Sequence, residues 1–212
     1  LIRLLAHRGD WTFPEERNSR AALLRAFQGG YGIETDIRDH AGRIVIAHDK
    51  PDGTEMSLED LLAMMAAEAP AGGMPLALNV KADGLAADVA AALRGLPRGA
   101  WFVFDMSVPD LLSYLKAGLP AFTRISDVET EPVALRQCAG LWVDGFFEDW
   151  TDFARLHRFL DEDKMIAVVS PELHGRNHVE FWRRFRGSGL DKRPGVMLCT
   201  DFPAEAGAFF GG

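Results

Sequence analysis

Short apolar runs alternate with longer amphipathic ones along almost the whole chain, and this alternation limits the fold more than any other feature. Residues 2–6, 32–38, 76–81, 101–104, 121–125, 141–143, 165–169 and 196–199 read as eight strands. Helical spacing follows at 19–27, 58–67, 85–93, 108–116, 132–137, 152–160 and 178–186, with a short terminal helix from Pro203. Asn18 or Ser19, Ser57 and Ser107 are the expected N-caps, and Gly29-Gly30, Gly72-Gly73 and Gly118 the expected stops. Strict β–α alternation implies a parallel sheet with helices outside it. Eight units point to an α/β fold of the (β/α)8 TIM barrel type, with a doubly wound open sheet as the competitor. Polar placement favours the barrel. His7, Glu34, Asp36, Lys81, Asp105, Arg124, Asp144 and Glu172 fall at or just past C-terminal strand ends, which a barrel gathers into one mouth. Neither a linker nor an internal repeat interrupts the pattern, so residues 1–212 are expected to form a single barrel domain.

The most charged of these strands carries the clearest chemistry. In the stretch 33–49, IETDIRDHAGRIVIAHD, Glu34, Asp36 and Arg38 share one face at period two. The turn at 40–42 leads into a second apolar run, 44–47, which delivers His48-Asp49. Acids in so apolar a setting need a compensating charge, and a hard cation such as Mg²⁺ or Ca²⁺ suits carboxylate oxygens. A solvated strand face with an Arg–Asp pair is the plainer alternative. At the end of the first strand, Arg8 can bind a phosphate in a fork, and Gly9 lets backbone approach a ligand. Arg176 and His174, in the loop after the seventh strand, could hold a second anionic group.

The combination His7-Arg8-Gly9, Asn18-Ser19, Glu34-x-Asp36, His48-Asp49, Lys81 and Thr200-Asp201-x-Pro203, in that order, resembles the glycerophosphodiester phosphodiesterase family. That family sits among barrel phosphodiesterases that include phosphatidylinositol phospholipases C and spider-venom phospholipase D toxins. The resemblance covers residues 5–49 closely, 76–81 and 196–203 more loosely, and the remainder by topology. It implies that Glu34 and Asp36 hold a divalent ion, Mg²⁺ or Ca²⁺, against a phosphoryl oxygen. His7 and His48 are then the general base and acid, and Arg8 and Lys81 neutralise the remaining oxygens. The implied reaction is hydrolysis of a small glycerol- or alcohol-headed phosphodiester. A lysophospholipid, a phosphodiester-linked glycan or a barrel that binds without turnover are the alternatives.

Three departures from the family pattern stand out. The third strand has Asn79-Val80-Lys81 where acid-x-Lys is usual, so the third ligand becomes an amide, Asn79, and the site loses one formal charge. Arg17 is inserted between Glu16 and Asn18. Only residues 50–56 separate Asp49 from the Ser57 cap, so the covering insertion common in the family is nearly absent.

Composition sets outer bounds. Of 212 residues, 48% are hydrophobic and 25% charged, enough for a substantial core. A net charge of −8 argues against nucleic acid and anionic membrane surfaces as partners, though a local cationic pocket remains compatible with a small phosphate. No stretch is apolar for long enough to insert stably in a bilayer. Cys138 and Cys199, both in apolar runs, suit buried free thiols and a reducing, cytoplasmic setting. The chain opens at Leu1, which leaves a removed leader open. Oligomeric state is not readable from sequence.

Overall fold

The computed structural model describes residues 2–68, 73–97 and 99–211. The expected stop at Gly72 lies outside the described residues. Strand β1 (Arg3–His7) leads to α1 (Arg20–Gln28), then β2 (Gly32–His40), the antiparallel arm β3 (Arg43–Ile46) and α2 (Leu58–Glu68). After these come β4 (Leu76–Val80), α3 (Ala86–Ala92), β5 (Trp101–Phe104), α4 (Val108–Lys116) and β6 (Phe122–Ile125). The chain ends with β7 (Gly140–Val143), α5 (Phe153–Asp161), β8 (Met165–Val169), α6 (Val179–Gly187), β9 (Val196–Thr200) and α7 (Pro203–Gly211).

Eight strands pair in parallel in the order β5-β4-β2-β1-β9-β8-β7-β6, and β3 hangs from β2. A bridge between Val103 and Ala121 joins the first and last strands, so the sheet curls into a nearly closed (β/α)8 barrel. No helix among the described residues is long and apolar enough to cross a membrane.

Caps fall where the sequence puts them. The hydroxyls of Ser19, Ser57 and Ser107 accept the N–H of Ala22, Asp60 and Asp110, each worth about 1 kcal/mol. The helix expected at 132–137 does not form: that segment runs in turns, with Ala134 at φ +53°. Six residues offer too few hydrogen bonds to offset helix nucleation, and a left-handed residue in the middle ends the path. The β6 unit therefore lacks a helix.

Side-chain parity divides the core. Leu5, Ala77, Phe102, Phe104, Phe122, Trp142, Ala167, Val169, Met197 and Cys199 fill the barrel interior. Phe102 stacks on Phe122 at 3.7 Å and Phe104 on Trp142 at 3.9 Å, aromatic pairs worth about 0.5–1.5 kcal/mol each beyond their burial. Outward residues of the same strands pack against the helices in two larger clusters. Strand period two has a direct consequence for chemistry. His7 follows Leu5, Asn79 and Lys81 follow Ala77, Arg124 follows Phe122, Asp144 follows Trp142 and Asp201 follows Cys199, so polar side chains continue the inward faces above an aromatic floor.

Candidate active site

Two left-handed residues build the corner at the end of β1. Arg8 has φ +57° and Asn18 φ +61°, and the Asn18 N–H donates to the Arg8 carbonyl at 2.9 Å. Arg8 N–H in turn donates to the Glu34 carbonyl at 2.8 Å, locking the corner onto β2. Gly9 follows at φ +92°, where an added Cβ would lie 2.7 Å from the Ala22 carbonyl carbon of α1. Strain at a non-glycine position costs on the order of 1–3 kcal/mol, and here it aims two side chains at one target. Asn18 Nδ2 and Arg8 Nε each stand 2.9 Å from Asp36 Oδ2. The Asn18 carbonyl oxygen accepts from Thr35 Oγ1 at 2.8 Å, which fixes its amide orientation.

Asp36 and Glu34 are 0% and 1% exposed and Asn79 is 8% exposed, so all three lie inside the barrel mouth. One atom of each is engaged and one oxygen is not. Asn79 Nδ2 donates to Glu34 Oε1 at 3.3 Å. Glu34 Oε2, Asp36 Oδ1 and Asn79 Oδ1 are buried without a hydrogen-bond donor. Burial, and then the neighbouring Asp36 charge, push the Glu34 carboxyl up to about 7, while His7, Arg8 and Lys81 pull it back. Three orphaned hard oxygens, two from carboxylates, fit a divalent cation of the Mg²⁺ or Ca²⁺ kind. Among the described residues no group of three His, Cys, Asp or Glu is spaced to hold a metal, and the third oxygen of this set comes from an amide.

His7 borders this set. Its Nδ1 lies 2.6 Å from Asp201 Oδ1, and its Nε2 lies 3.9 Å from Glu34 Oε2. An ionised carboxylate only accepts, so Nδ1 is the donor of this pair and Nε2 is the ring nitrogen turned to the Glu34 side. Lys81 Nζ stands 3.6 Å from Asp36 Oδ1 and 3.3 Å from Asp105 Oδ2. Asp105, left-handed at φ +72°, also pairs with Arg124, which pairs in turn with Glu129. The two rim residues Asp105 and Arg124 thus form a charge chain ending on Lys81.

His48 stands apart from that cluster. The β2–β3 arm carries it: Ala47 N–H donates to the Asp36 carbonyl at 3.0 Å, and Arg38 Nε donates to the His48 carbonyl at 2.9 Å. Its side chain is 43% exposed, with Nδ1 3.0 Å from Asp49 Oδ1. His48, Arg8 and Asn18 line one cavity of about 820 Å³, whereas His7, Glu34 and Asp36 do not.

Arg176 lies elsewhere on the mouth. It donates to the Gly145 carbonyl, beside the His174 Nε2–Asp144 Oδ1 pair at 2.7 Å, and among the described residues no hydrogen bond or ion pair joins it to the Glu34–Asp36 cluster. His178 is packed on Trp182, with Nε2 3.1 Å from Glu205 Oε1. Sequence reasoning assigned no role to the partner of His7, Asp201, or to the Glu172 carboxylate that receives the Asp201 N–H at 3.2 Å. Two signals were available for Asp201: its place in the Thr200-Asp201-x-Pro203 motif, and parity, since it stands two residues after the interior Cys199.

No family model matches the chain, and no curated protein sequence matches it. Solved structures do share the fold. A candidate glycerophosphodiester phosphodiesterase of Galdieria sulphuraria superposes with a TM-score of 0.77 at 14% identity, covering 100% of this chain and 98% of the other. A glycerophosphodiester phosphodiesterase of Agrobacterium tumefaciens gives 0.72 at 18%, covering 100% of both chains. A Ca²⁺-dependent phosphatidylinositol-specific phospholipase C of Streptomyces antibioticus gives 0.58 at 11%, covering 98% and 96%. At such identities the likeness establishes the barrel.

Proposed function

We propose that the chain is one barrel domain acting as a metal-dependent phosphodiesterase on glycerophosphodiesters or related small alcohol phosphodiesters. The observation that carries this reading is the triplet of buried, donor-free oxygens on Glu34, Asp36 and Asn79, flanked by an oriented imidazole and two cations. The structural neighbours include enzymes described as glycerophosphodiester phosphodiesterases, which supports the same reaction class here.

Glu34, Asp36 and Asn79 would hold Mg²⁺ or Ca²⁺, which when bound polarises a phosphoryl oxygen. His7 Nε2 takes the proton of the attacking hydroxyl, while Asp201 holds the ring and stabilises the imidazolium. The attacker is water, giving a phosphomonoester, or a neighbouring substrate hydroxyl, giving a cyclic phosphate. His48 protonates the leaving alkoxide from the cavity side, and its exposure lets it exchange protons with solvent. Arg8 and Lys81 balance the phosphoryl charge, relieving their present hold on Asp36. A thiolate mechanism is disfavoured, since burial pushes the Cys199 thiol well up. Free, buried Cys138 and Cys199 suit a cytoplasmic setting.

Exposed Phe13, Phe147 and Phe202, in the loops after β1, β7 and β9, favour a second reading with the same chemistry on a lysophospholipid. Hydrolysis of glycerophosphoglycerol and of lysophosphatidylglycerol, each with Mg²⁺, with Ca²⁺ and with EDTA, tests both. Metal-stimulated turnover of either supports the phosphodiesterase. Turnover unaffected by chelation overturns the metal role, and turnover of neither overturns the reaction.

A further inference from the structure

A cavity of about 820 Å³ opens between the β1–α1 loop and the arm of residues 48–57 that leads into α2. It adjoins the proposed catalytic set through Arg8 and His48. Cavities of roughly 300–1,000 Å³ hold drug-sized ligands, so a glycerol unit would fill only a fraction of this one.

Its cations are unequally committed. Arg8 is paired with Asp36 at 2.9 Å, and the inserted Arg17 reaches Asp201 at 3.4 Å while lying 4.4 Å over the Trp11 ring. Arg20 is different: its side-chain bond goes to the thioether of Met56 at 3.8 Å, a weak acceptor for a guanidinium. Lys50 makes no ion pair among the described residues. The acids of the same wall are occupied close to home. Glu55 accepts the N–H groups of Asp52 and Gly53 at 2.8 and 2.9 Å. Asp60 accepts the Ser57 hydroxyl at 2.8 Å and gives its own N–H back at 3.1 Å. Asp49 faces His48 Nδ1 at 3.0 Å. A protein of net charge −8 therefore keeps Arg20 and Lys50 outside any ion pair among the described residues, in a cavity that reaches its proposed phosphate site.

We propose that this cavity receives the alcohol portion of the phosphodiester, and that Arg20 and Lys50 bind a second anionic group on an alcohol larger than glycerol. The class is a polyol or sugar carrying its own carboxylate or phosphate. A quaternary-ammonium alcohol meets the same two cations and is disfavoured. The inference rests on the phosphodiesterase reading and names the substrate class within it.

Calorimetry of the full chain with Mg²⁺ tests it through paired probes that mimic the product. Glucose 1-phosphate is compared with glucose 1,6-bisphosphate, and sorbitol 6-phosphate with 6-phosphogluconate. A second anion should tighten binding about tenfold, the equivalent of one charge-assisted bond. Arg20→Ser and Lys50→Ser should each reduce that gain, at unchanged melting temperature, and the double variant should abolish it. A gain in the bisphosphate pair identifies a phosphate as the preferred anion; a gain in the gluconate pair identifies a carboxylate. No gain in either pair, or a gain that survives the double variant, overturns the subsite. Glycerophosphodiester turnover is measured alongside. Turnover without second-anion selectivity overturns the subsite alone, and selective binding without turnover overturns the phosphodiesterase reading alone.

Discussion

The two halves of the barrel mouth treat their polar groups in opposite ways. On the β1–β2–β4 side, Glu34, Asp36 and Asn79 each bury an oxygen that receives no hydrogen bond. On the β7–β8–β9 side the acids are satisfied. Glu172 accepts from Thr200 Oγ1 at 2.5 Å, from Asp201 N–H and from Ser170 Oγ, and that hydroxyl itself accepts the Trp182 indole N–H at 2.8 Å. Asp144 takes His174 and the Gly145 N–H, while Asp127 accepts three consecutive N–H groups from Phe146, Phe147 and Glu148. An unmet buried acceptor costs about 1–3 kcal/mol, so a cluster of three marks where a missing partner would restore the balance. The satisfied half reads as scaffold, and it reaches the unsatisfied half through the Asp201–His7 bond.

The widest gap between the halves should lie between their histidines. His7→Ala should lower kcat/KM on a glycerophosphodiester by roughly 10²–10⁴-fold, as expected for loss of a general base. His174→Ala, with the same side chain removed from the satisfied half, should change it less than about threefold while lowering the melting temperature. Equal losses of activity in steady-state assays would erase the distinction between site and scaffold.

Next is the scaffold's hub. Glu172→Ala strands two hydroxyls and one N–H, so urea unfolding should report a loss of about 3 kcal/mol. Asp201 loses its backbone anchor in the same variant, and kcat should fall through His7 while the substrate KM holds. A variant as stable as the wild type would mean that solvent replaces Glu172 without cost.

The barrel and its strand-two acids were legible because period-two alternation and motif order survive in one dimension. Seven of the eight units show a helix where periodicity put one; the exception, 132–137, fell to a single left-handed alanine that propensity does not register. What could not be read were pairings across sequence distance. Asp201 meets His7 only because β9 closes beside β1, and Arg17 meets Asp201 only because the β1–α1 loop folds over that seam. Arg176 shows the converse, a residue with suitable chemistry whose loop turns it toward the Gly145 carbonyl.

The unsatisfied half also predicts a pH signature. Glu34 rises from 4.5 to about 7 on folding, so the folded chain keeps its proton where the unfolded chain has released it. Without metal, this group contributes no penalty below pH 4.5 and an increasing one up to pH 7, reaching roughly 3 kcal/mol. In EDTA, Glu34→Gln should therefore be more stable than wild type at pH 8 and equal to it at pH 4. Metal affinity of the wild type should climb with pH through 7, because the cation competes with that proton. Denaturant curves at the two pH values decide the matter, and a stability difference independent of pH would place Glu34 in an environment unlike the one described.

The smallest effect concerns Asn79, which sharpens the contrast from within the unsatisfied half. Its Nδ2 donates to Glu34 Oε1 at 3.3 Å, so in the metal-free chain the amide partly satisfies the very carboxylate with which it would share an ion. A carboxylate of the same size cannot do so. Asn79→Asp would set a third negative charge against Glu34 and Asp36, pushing the Glu34 carboxyl further up and lowering metal-free stability. The same charge adds to the attraction for a divalent ion, and hard-cation affinity follows the ligand charge count. Binding should tighten by about tenfold, equivalent to roughly 1.4 kcal/mol, and the metal-induced rise in melting temperature should grow with it. Asn79→Ala separates charge from coordination, since it removes the Glu34 contact and the Oδ1 donor together; affinity should then fall. Titration calorimetry with Mg²⁺ and Ca²⁺ across wild type, N79D and N79A orders the three. Identical affinities would put Asn79 outside the coordination sphere and reduce the orphaned oxygens of the site to those of Glu34 and Asp36.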